Sequence, residues 1–295
     1  MASSNQPASP SPGSGELRIL QAGDFHLAAP ARPTLIAAFE RLLARERYDV
    51  VVFCGDFAQR SRIGEFLCGA ALVRYARQYS ATIVVPGNHD VAWWRSPLHI
   101  RGTARMYEKY RTWLEPDLEP VLTVAGATFV GLNSSHGIAL YTLTKRLRDL
   151  SVIGAVTDAQ LARCKDSMSA IPAGDLRAIV MHHNPVRGEL SQRFGIPNHR
   201  EVLEAFAASG CDLILCGHDH QEHVARVTHA DGRGGQHAMV VSACGTISTR
   251  SRGGRPCSAT QITVSREQLT LDVLMAIPSG DGFEAAQQFV FPRVR

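Results

Sequence analysis

Apolar positions along the chain fall into short blocks with two alternating rhythms. Residues 17–22 form a short apolar run that reads as a strand. From 32 to 47, Leu35, Ile36, Phe39, Leu42 and Leu43 recur at helical spacing. Residues 50–54 are hydrophobic throughout, as expected of a strand covered on both faces. Residues 63–79 return to the helical rhythm, and 82–85 form a third strand stopped by Pro86-Gly87. This β-α-β-α-β order predicts a sheet with crossover helices.

The middle of the chain is less regular. Residues 102–114 carry a helical pattern, and 121–124 and 127–132 look like two strands joined by a tight turn at Ala125-Gly126. Residues 133–156 have weak periodicity and form a connection long enough to act as a lid, and 186–197 are a second candidate lid. A helix is expected from Asp158, capped by its own carboxylate or by Thr157. The alternation resumes with strand 176–181, helix 199–209 and strand 211–216. Strands 223–228, 238–242, 258–264 and 269–275 follow, separated by turns rich in Gly, Asp and Arg. The expected fold is α/β, with a βαβαβ half and a β-richer half, most simply two packed sheets with helices outside. No linker divides residues 16–295, which are expected to be one domain.

Composition narrows the partners. Residues 1–15 are rich in Ser, Pro and Gly, are expected to be a disordered tail, and lack the charged start and apolar core of a secretory signal. No apolar run approaches the ~18 residues of a membrane span. A formal charge of +4 permits an anionic substrate, but the dense basic stripe of a nucleic-acid binder is missing. The seven cysteines are irregularly spaced with no CxxC pair, which argues against a cysteine zinc site and points to reduced thiols and a cytoplasmic location.

Chemistry concentrates where the predicted strands end. Strand 17–22 runs into Gly23-Asp24-Phe25-His26, strand 50–54 into Gly55-Asp56, and strand 82–85 into Gly87-Asn88-His89-Asp90. Strand 176–180 runs into Met181-His182-His183, and strand 213–216 into Gly217-His218-Asp219-His220. Taken singly, each is an ordinary turn or a pair of histidines with structural roles. Together they deliver Asp, Asn and His from five strands to the edge where α/β sheets bind ligands. Mixed N/O donors without thiolate suit Mn, Fe, Zn or Co better than Mg or Ca. A carboxylate can bridge two cations ~3.5–4 Å apart, a pair that activates water near neutral pH and offsets charge on a phosphoryl group. The expected reaction is attack of the resulting hydroxide on phosphorus, with an unliganded His protonating the leaving oxygen.

These five blocks, in this order across residues 24–220, resemble the calcineurin-like metallophosphoesterase superfamily. The resemblance implies a four-layer αββα sandwich of two mixed sheets flanked by helices. It implies that Asp24, His26 and His220 hold one divalent ion, that Asp56 bridges, and that Asn88, His182 and His218 hold the second. His89 would bind the phosphoryl group or act as general acid, and Asn88 would also lie against substrate. His183 matches the second His of the family's frequent His-His-Pro form. Here Asn184 stands in third place with Pro185 following, which puts the rim geometry in doubt. Phe25 would point away from the metals. In spacing and length the chain is similar to the class III cyclic-nucleotide phosphodiesterase group.

Residues around the motifs offer further contacts. Trp93, Trp94 and Arg95 are placed to stack on a base or sugar and pair with phosphate, or simply to anchor a loop. His136 ends another strand on the same edge, facing substrate or sitting in a polar loop. The basic run at Lys145, Arg146 and Arg148 is solvated surface, or attracts an anionic substrate if its connection closes as a lid. The leading expectation is a metal-dependent phosphodiesterase on a small molecule such as a cyclic nucleotide or glycerophosphodiester. The alternatives are a phosphomonoesterase on phosphoprotein or metabolite, a nuclease, and a non-catalytic scaffold; complete ligand blocks count against the scaffold.

Overall fold

The computed structural model describes residues 16–28, 31–100, 102–143 and 150–293. The expected tail at 1–15 and the run at Lys145, Arg146 and Arg148 lie outside the described residues. Two six-stranded sheets face each other. The first has the order β12-β11-β10-β1-β2-β3, with β1 (Leu17–Ala22), β2 (Val50–Phe53), β3 (Ala81–Val84), β10 (Ser258–Val264), β11 (Gln268–Ala276) and β12 (Phe283–Pro292). The second has the order β4-β5-β6-β7-β9-β8, with β4 (Val121–Val124), β5 (Ala127–Gly131), β6 (Leu176–Val180), β7 (Leu213–Cys216), β8 (His223–Ala230) and β9 (Gln236–Ala243). Each is mixed: β1, β2 and β3 are parallel, as are β5, β6, β7 and β9, with antiparallel strands at the edges.

Successive side chains on a strand point to opposite faces, and every central strand here has two dry faces. On β2, Val50 and Val52 enter the core between the sheets, whereas Val51 and Phe53 enter a second core with the helices. On β7, Leu213 and Leu215 face the other sheet, while Ile214 and Cys216 face the outer helices. The first sheet is covered by α1 (Pro33–Arg45), α2 (Ile63–Ala76) and α3 (Ala104–Trp113), through residues such as Phe39, Phe66 and Tyr110. The second is covered by α4 (Asp158–Ser169) and α5 (His199–Ala208), through Cys164, Met168, Val202 and Phe206. The result is the expected four-layer αββα sandwich. The Thr157 hydroxyl accepts the amide of Gln160, so Thr157, rather than Asp158, caps α4.

Two features depart from the sequence reading. The sheets are not two halves of the chain: β10, β11 and β12 return to the first sheet, with β10 antiparallel to β1. The apolar pattern of β10 reports that it is covered but not by which sheet. Strand β12 was not expected at all. It is an edge strand whose Glu, Ala and Gln residues face solvent, and only alternate positions such as Phe289 and Phe291 reach the core.

A buried amide side chain lies in the dry layer between the sheets. Gln21, fully buried on β1, donates from Nε2 to the carbonyls of Cys216 (2.9 Å) and Ser242 (2.8 Å) in the opposite sheet. It accepts the Ser242 hydroxyl at 2.6 Å. Gln21 thus pins the end of β1 to the ends of β7 and β9. Gln21→Leu keeps the volume but leaves buried partners unpaired, so it should cost about 2 kcal/mol in denaturant unfolding. An unchanged midpoint would show that the pin adds no stability.

Candidate metal centre

The strand ends meet as the spacing of the motifs predicts. β1 and β2 deliver Asp24, His26 and Asp56; the turn after β3 delivers Asn88 and His89; β6 and β7 deliver His182, His218 and His220. Five of these residues sit in the left-handed backbone region: Asp24 (φ 52°), His26 (φ 45°), Asp56 (φ 56°), His218 (φ 76°) and His220 (φ 52°). For residues with a Cβ this costs roughly 1–2 kcal/mol each. The surroundings hold them there. Asp24 N donates to the Gly55 carbonyl at 3.0 Å and His26 N to the Asp56 carbonyl at 2.9 Å, zipping the first two loops together. Asp24 Oδ2 accepts the amide of His218 at 3.0 Å from the other sheet.

The donor atoms gather in two groups. Asp24, His26, Asp56 and His220 form one. His26 Nε2 and His220 Nε2 lie 2.9 Å apart, His220 Nε2 is 3.5 Å from Asp24 Oδ1, and His26 Nε2 is 3.6 Å from Asp56 Oδ2. In the other group, Asn88 Oδ1 lies 3.0 Å from both His182 Nε2 and His218 Nδ1, which are 3.3 Å from each other. Asp56 Oδ2 is 3.4 Å from His182 Nε2, so one carboxylate oxygen stands between the two groups. His183 also lies near His182 and His218, but both its ring nitrogens are engaged, with the Ser134 hydroxyl and the Val152 carbonyl, each at 2.8 Å. It braces residues 150–156 rather than offering a lone pair to the site.

This donor set fits cations. His182 gives its Nδ1 proton to the Cys54 carbonyl at 2.7 Å, which in the neutral ring leaves the Nε2 lone pair aimed at the Asn88 oxygen. Buried Asp24 Oδ1 and His26 Nδ1 have no hydrogen-bond partner. Acceptors turned toward one another in a dry site are costly unless a proton or an ion lies between them.

Titration behaviour follows from the crowding. Burial, reinforced by Asp56, pushes Asp24 up to about 6 against the pull of His220 and His182. Burial works to raise Asp56 as well, but His182, His89 and His26 outweigh it and hold the carboxyl well below the usual range. Burial alone would lower His182, yet Asp56 raises it to about 10. Burial lowers His26 to about 3 and carries His218 well below the ordinary imidazole range. A proton held on His182 by Asp56 therefore supplies positive charge within the site.

Supporting residues escaped the sequence reading. Asp90 accepts the amides of Asp56 (2.9 Å), Ala58 (2.8 Å) and Gly87 (2.9 Å), knitting the second and third motifs together. Gly87 is required by space: a Cβ there would lie 2.1 Å from Asp56 Oδ1. Asn184, which stands where Pro was expected, donates to Asp219 Oδ2 (3.3 Å) and accepts from Val186 N (3.0 Å), so it links the fourth and fifth motifs. The signal for Asp90 was its place in Gly87-Asn88-His89-Asp90; nothing in the sequence marked Gln21.

The outer residues divide. Phe25 points away from the donors, stacked on Phe57 with ring centroids 5.4 Å apart. The amide of His89 donates to Asp56 Oδ1 at 2.8 Å and its Nδ1 to the Gln59 carbonyl at 2.8 Å, leaving Nε2 directed elsewhere. Asn88, His89, Trp93 and Trp94 border a cavity of about 440 Å³. Arg95 does not border it: its Nη1 pairs with Glu108 on α3 at 2.7 Å. His136 is also turned away. It borders a second cavity of about 400 Å³ with Tyr107 and Gln160, because the chain bends at Gly137 (φ 61°) against Trp93. The two candidate lids touch through Gly154 N and the Gly195 carbonyl, 3.0 Å apart.

A two-sheet sandwich with clustered His and Asp donors at its strand ends defines the class of α/β sandwiches with a candidate metal site. The chain belongs to the calcineurin-like phosphoesterase family, whose model matches residues 17–222. No curated protein matches the chain. Among solved structures it is similar to a purple acid phosphatase, PPD1, from yellow lupin (Lupinus luteus) seeds, at 15% identity and TM-score 0.69. That match covers 97% of this chain and 55% of the lupin chain, so this chain spans about half the length of the enzyme it resembles. It is similar to PhoD at 12% identity and TM-score 0.64, covering 96% of this chain and 71% of that one. It is also similar to GAP50, the anchor in the inner membrane complex of Plasmodium, at 13% identity and TM-score 0.59, covering 96% and 90%. At these identities the likeness is one of fold.

Protonated His182 cannot ligate, so ion uptake at neutral pH should expel its proton, and affinity should rise with pH. Calorimetry in buffers of different ionisation enthalpy measures this directly; uptake without proton release contradicts the assignment of His182. In the metal-free protein the same raised pKa favours the fold below the unfolded value near 6.5, and that contribution is lost as pH rises through about 10. Gly87→Ala should deplete bound metal while leaving the far-ultraviolet circular dichroism intact.

Proposed function

We propose that the protein is a phosphodiesterase acting on small organic phosphodiesters, using two divalent transition-metal ions of the Mn, Fe or Zn type. The carrying observation is the pair of facing donor groups joined by Asp56 Oδ2, 3.6 Å from His26 Nε2 and 3.4 Å from His182 Nε2. In this reading Asp24, His26 and His220 hold one ion, Asn88, His182 and His218 the other, and Asp56 bridges. The ions, when bound, supply activated water and offset charge developing on phosphorus.

The chain's own residues do the rest. Asp56, held ionised by its imidazole neighbours, is poised to bind cations near neutral pH. His89 anchors Asp56 through its amide and has its ring oriented by the Gln59 carbonyl, which leaves Nε2 available for the reacting group. From there it hydrogen-bonds the phosphoryl oxygen or gives a proton to the leaving alkoxide. The cavity beginning at Asn88 and His89 supports a diester reading, because it offers space for a second ester substituent. A cytoplasmic site of action is supported by the seven free cysteines. No helix among the described residues is long and apolar enough to cross a membrane.

Chelator-stripped protein should regain hydrolysis of bis(p-nitrophenyl) phosphate with Mn, Fe or Zn, and faster than hydrolysis of p-nitrophenyl phosphate. A reversed ratio makes the protein a monoesterase, and activity unaffected by stripping removes the metal mechanism. His89→Ala should lower kcat by roughly 10²–10⁴-fold with metal content retained. Asp56→Asn should lose both metal and turnover; wild-type hydrolysis by that variant would falsify the bridging role.

A further inference from the structure

The cavity beside His89 has a wall that phosphoester chemistry at the metal centre does not require. Residues 59–62 are tied down as a unit. Glu65 Oε2, buried at the start of α2, accepts the amides of Gln59 (3.2 Å), Arg60 (3.0 Å) and Arg62 (3.0 Å). Ser61, in the left-handed region at φ 49°, donates its hydroxyl to the His89 carbonyl at 2.8 Å. Lys109 donates to the Ser61 carbonyl at 3.0 Å. The loop is therefore fixed both to α2 and to the turn that carries His89.

This anchored loop places Arg60 and Arg62 on the cavity with Trp93 and Trp94. Among the described residues no hydrogen bond or ion pair engages either guanidinium, although both backbone amides are bonded. Elsewhere arginines with carboxylates in reach are paired, as Arg95 is with Glu108 and Arg255 with Glu222. Two like charges on one short, braced loop repel unless an anion lies between them, and guanidinium suits phosphate oxygens in a bidentate manner. Glu65 takes up the amides of Gln59, Arg60 and Arg62, so these loop amides are not free for an anion and the side chains supply the attraction. The indoles of Trp93 and Trp94 meet edge to face with centroids 5.9 Å apart, and Trp94 is 50% exposed. A half-exposed indole on a cavity wall offers a face for a planar ring.

We infer that Arg60 and Arg62 form a second anion subsite, with Trp93 and Trp94 as a platform, and that the substrate is a nucleotide-like phosphodiester carrying a second phosphate that does not react. The inference deepens the phosphodiesterase reading and rests on it for where the reacting phosphate sits. Water adds to the phosphorus at the metal centre, the bond from that phosphorus to the leaving oxygen breaks, and the leaving oxygen takes up a proton; a second phosphate at a separate position keeps its own ester bond, whereas an adjoining one carries the leaving oxygen away as a phosphomonoester. The shared chemistry, a base plus two phosphates, arises either from phosphates at separate positions of a nucleoside or from adjoining phosphates in a nucleoside diphosphate ester.

The test is equilibrium binding to the metal-loaded protein, followed by quenching of tryptophan fluorescence. Thymidine 3′,5′-bisphosphate and UDP-glucose represent the two sources, and thymidine 5′-monophosphate carries a single phosphate. At least one of the first two should bind roughly tenfold or more tightly than the monophosphate, since a charge-assisted contact is worth about that factor. The tighter of them identifies the source. Arg60→Ala/Arg62→Ala should abolish the preference, Arg60→Lys/Arg62→Lys should retain part of it, and Trp94→Leu should weaken all three ligands. Arg74→Ala, on α2 about three turns beyond that loop, should alter none of them. Equal affinity for all three ligands, or a preference surviving the double alanine variant with its circular dichroism intact, overturns the subsite. Hydrolysis of bis(p-nitrophenyl) phosphate by the same preparation separates the two claims: hydrolysis without a two-phosphate preference removes only the subsite, and preference without hydrolysis removes only the phosphodiesterase reading.

Discussion

The structure depends on holding the ends of two sheets in register across a dry interface. Apolar packing between Val52, Val180 and Leu215 brings the sheets together but is non-directional. Gln21 supplies direction, because its amide can satisfy Cys216 and Ser242 only in one alignment. Asp24 repeats the device one turn further on by accepting the amide of His218 from the opposite sheet. If either sheet slid by one residue, these bonds would break and the donor atoms would no longer converge.

Convergence has an energetic cost that the rest of the fold must offset. Five left-handed residues at roughly 1–2 kcal/mol each approach the net stability of a typical domain, ~5–15 kcal/mol. Desolvation adds to this, since Asp24, Asp56, His182 and His218 are drawn from water together. The two doubly buried sheets supply the compensation. Backbone strain is concentrated at the candidate ion site, so ion binding and local stability are coupled.

The two ends of the donor set have unequal surroundings. His182 is enclosed and His218 is half-buried, with His183 bracing the neighbouring loop through Val152. His220 is partly open, and the cavity at His89 leads outward past Arg60, Arg62, Trp93 and Trp94. Under the proposed function, a substrate approaches from a rim that the parallel strands do not build. Its residues come from loops 59–62 and 91–94, and the proposal assigns specificity to them rather than to the five motifs.

The sequence by itself determined the alternation of strands and helices, the five strand-end motifs and the type of donor each brings. Those features are local: a β-branched run ends at a glycine turn, and a donor sits within a few residues of it. It also determined that Phe25 turns inward, since an apolar side chain between two polar ones leaves the site. Only the tertiary structure decided which sheet β10 joins and that β12 exists, because an edge strand needs only a partner's free backbone. Only it showed Arg95 bound to Glu108, His136 in a separate cavity, and Arg60 and Arg62 at the rim in their place. It likewise revealed Gln21 and the three amides gathered by Asp90. Such roles depend on partners far away in the chain, and hydrophobic rhythm carries no record of them.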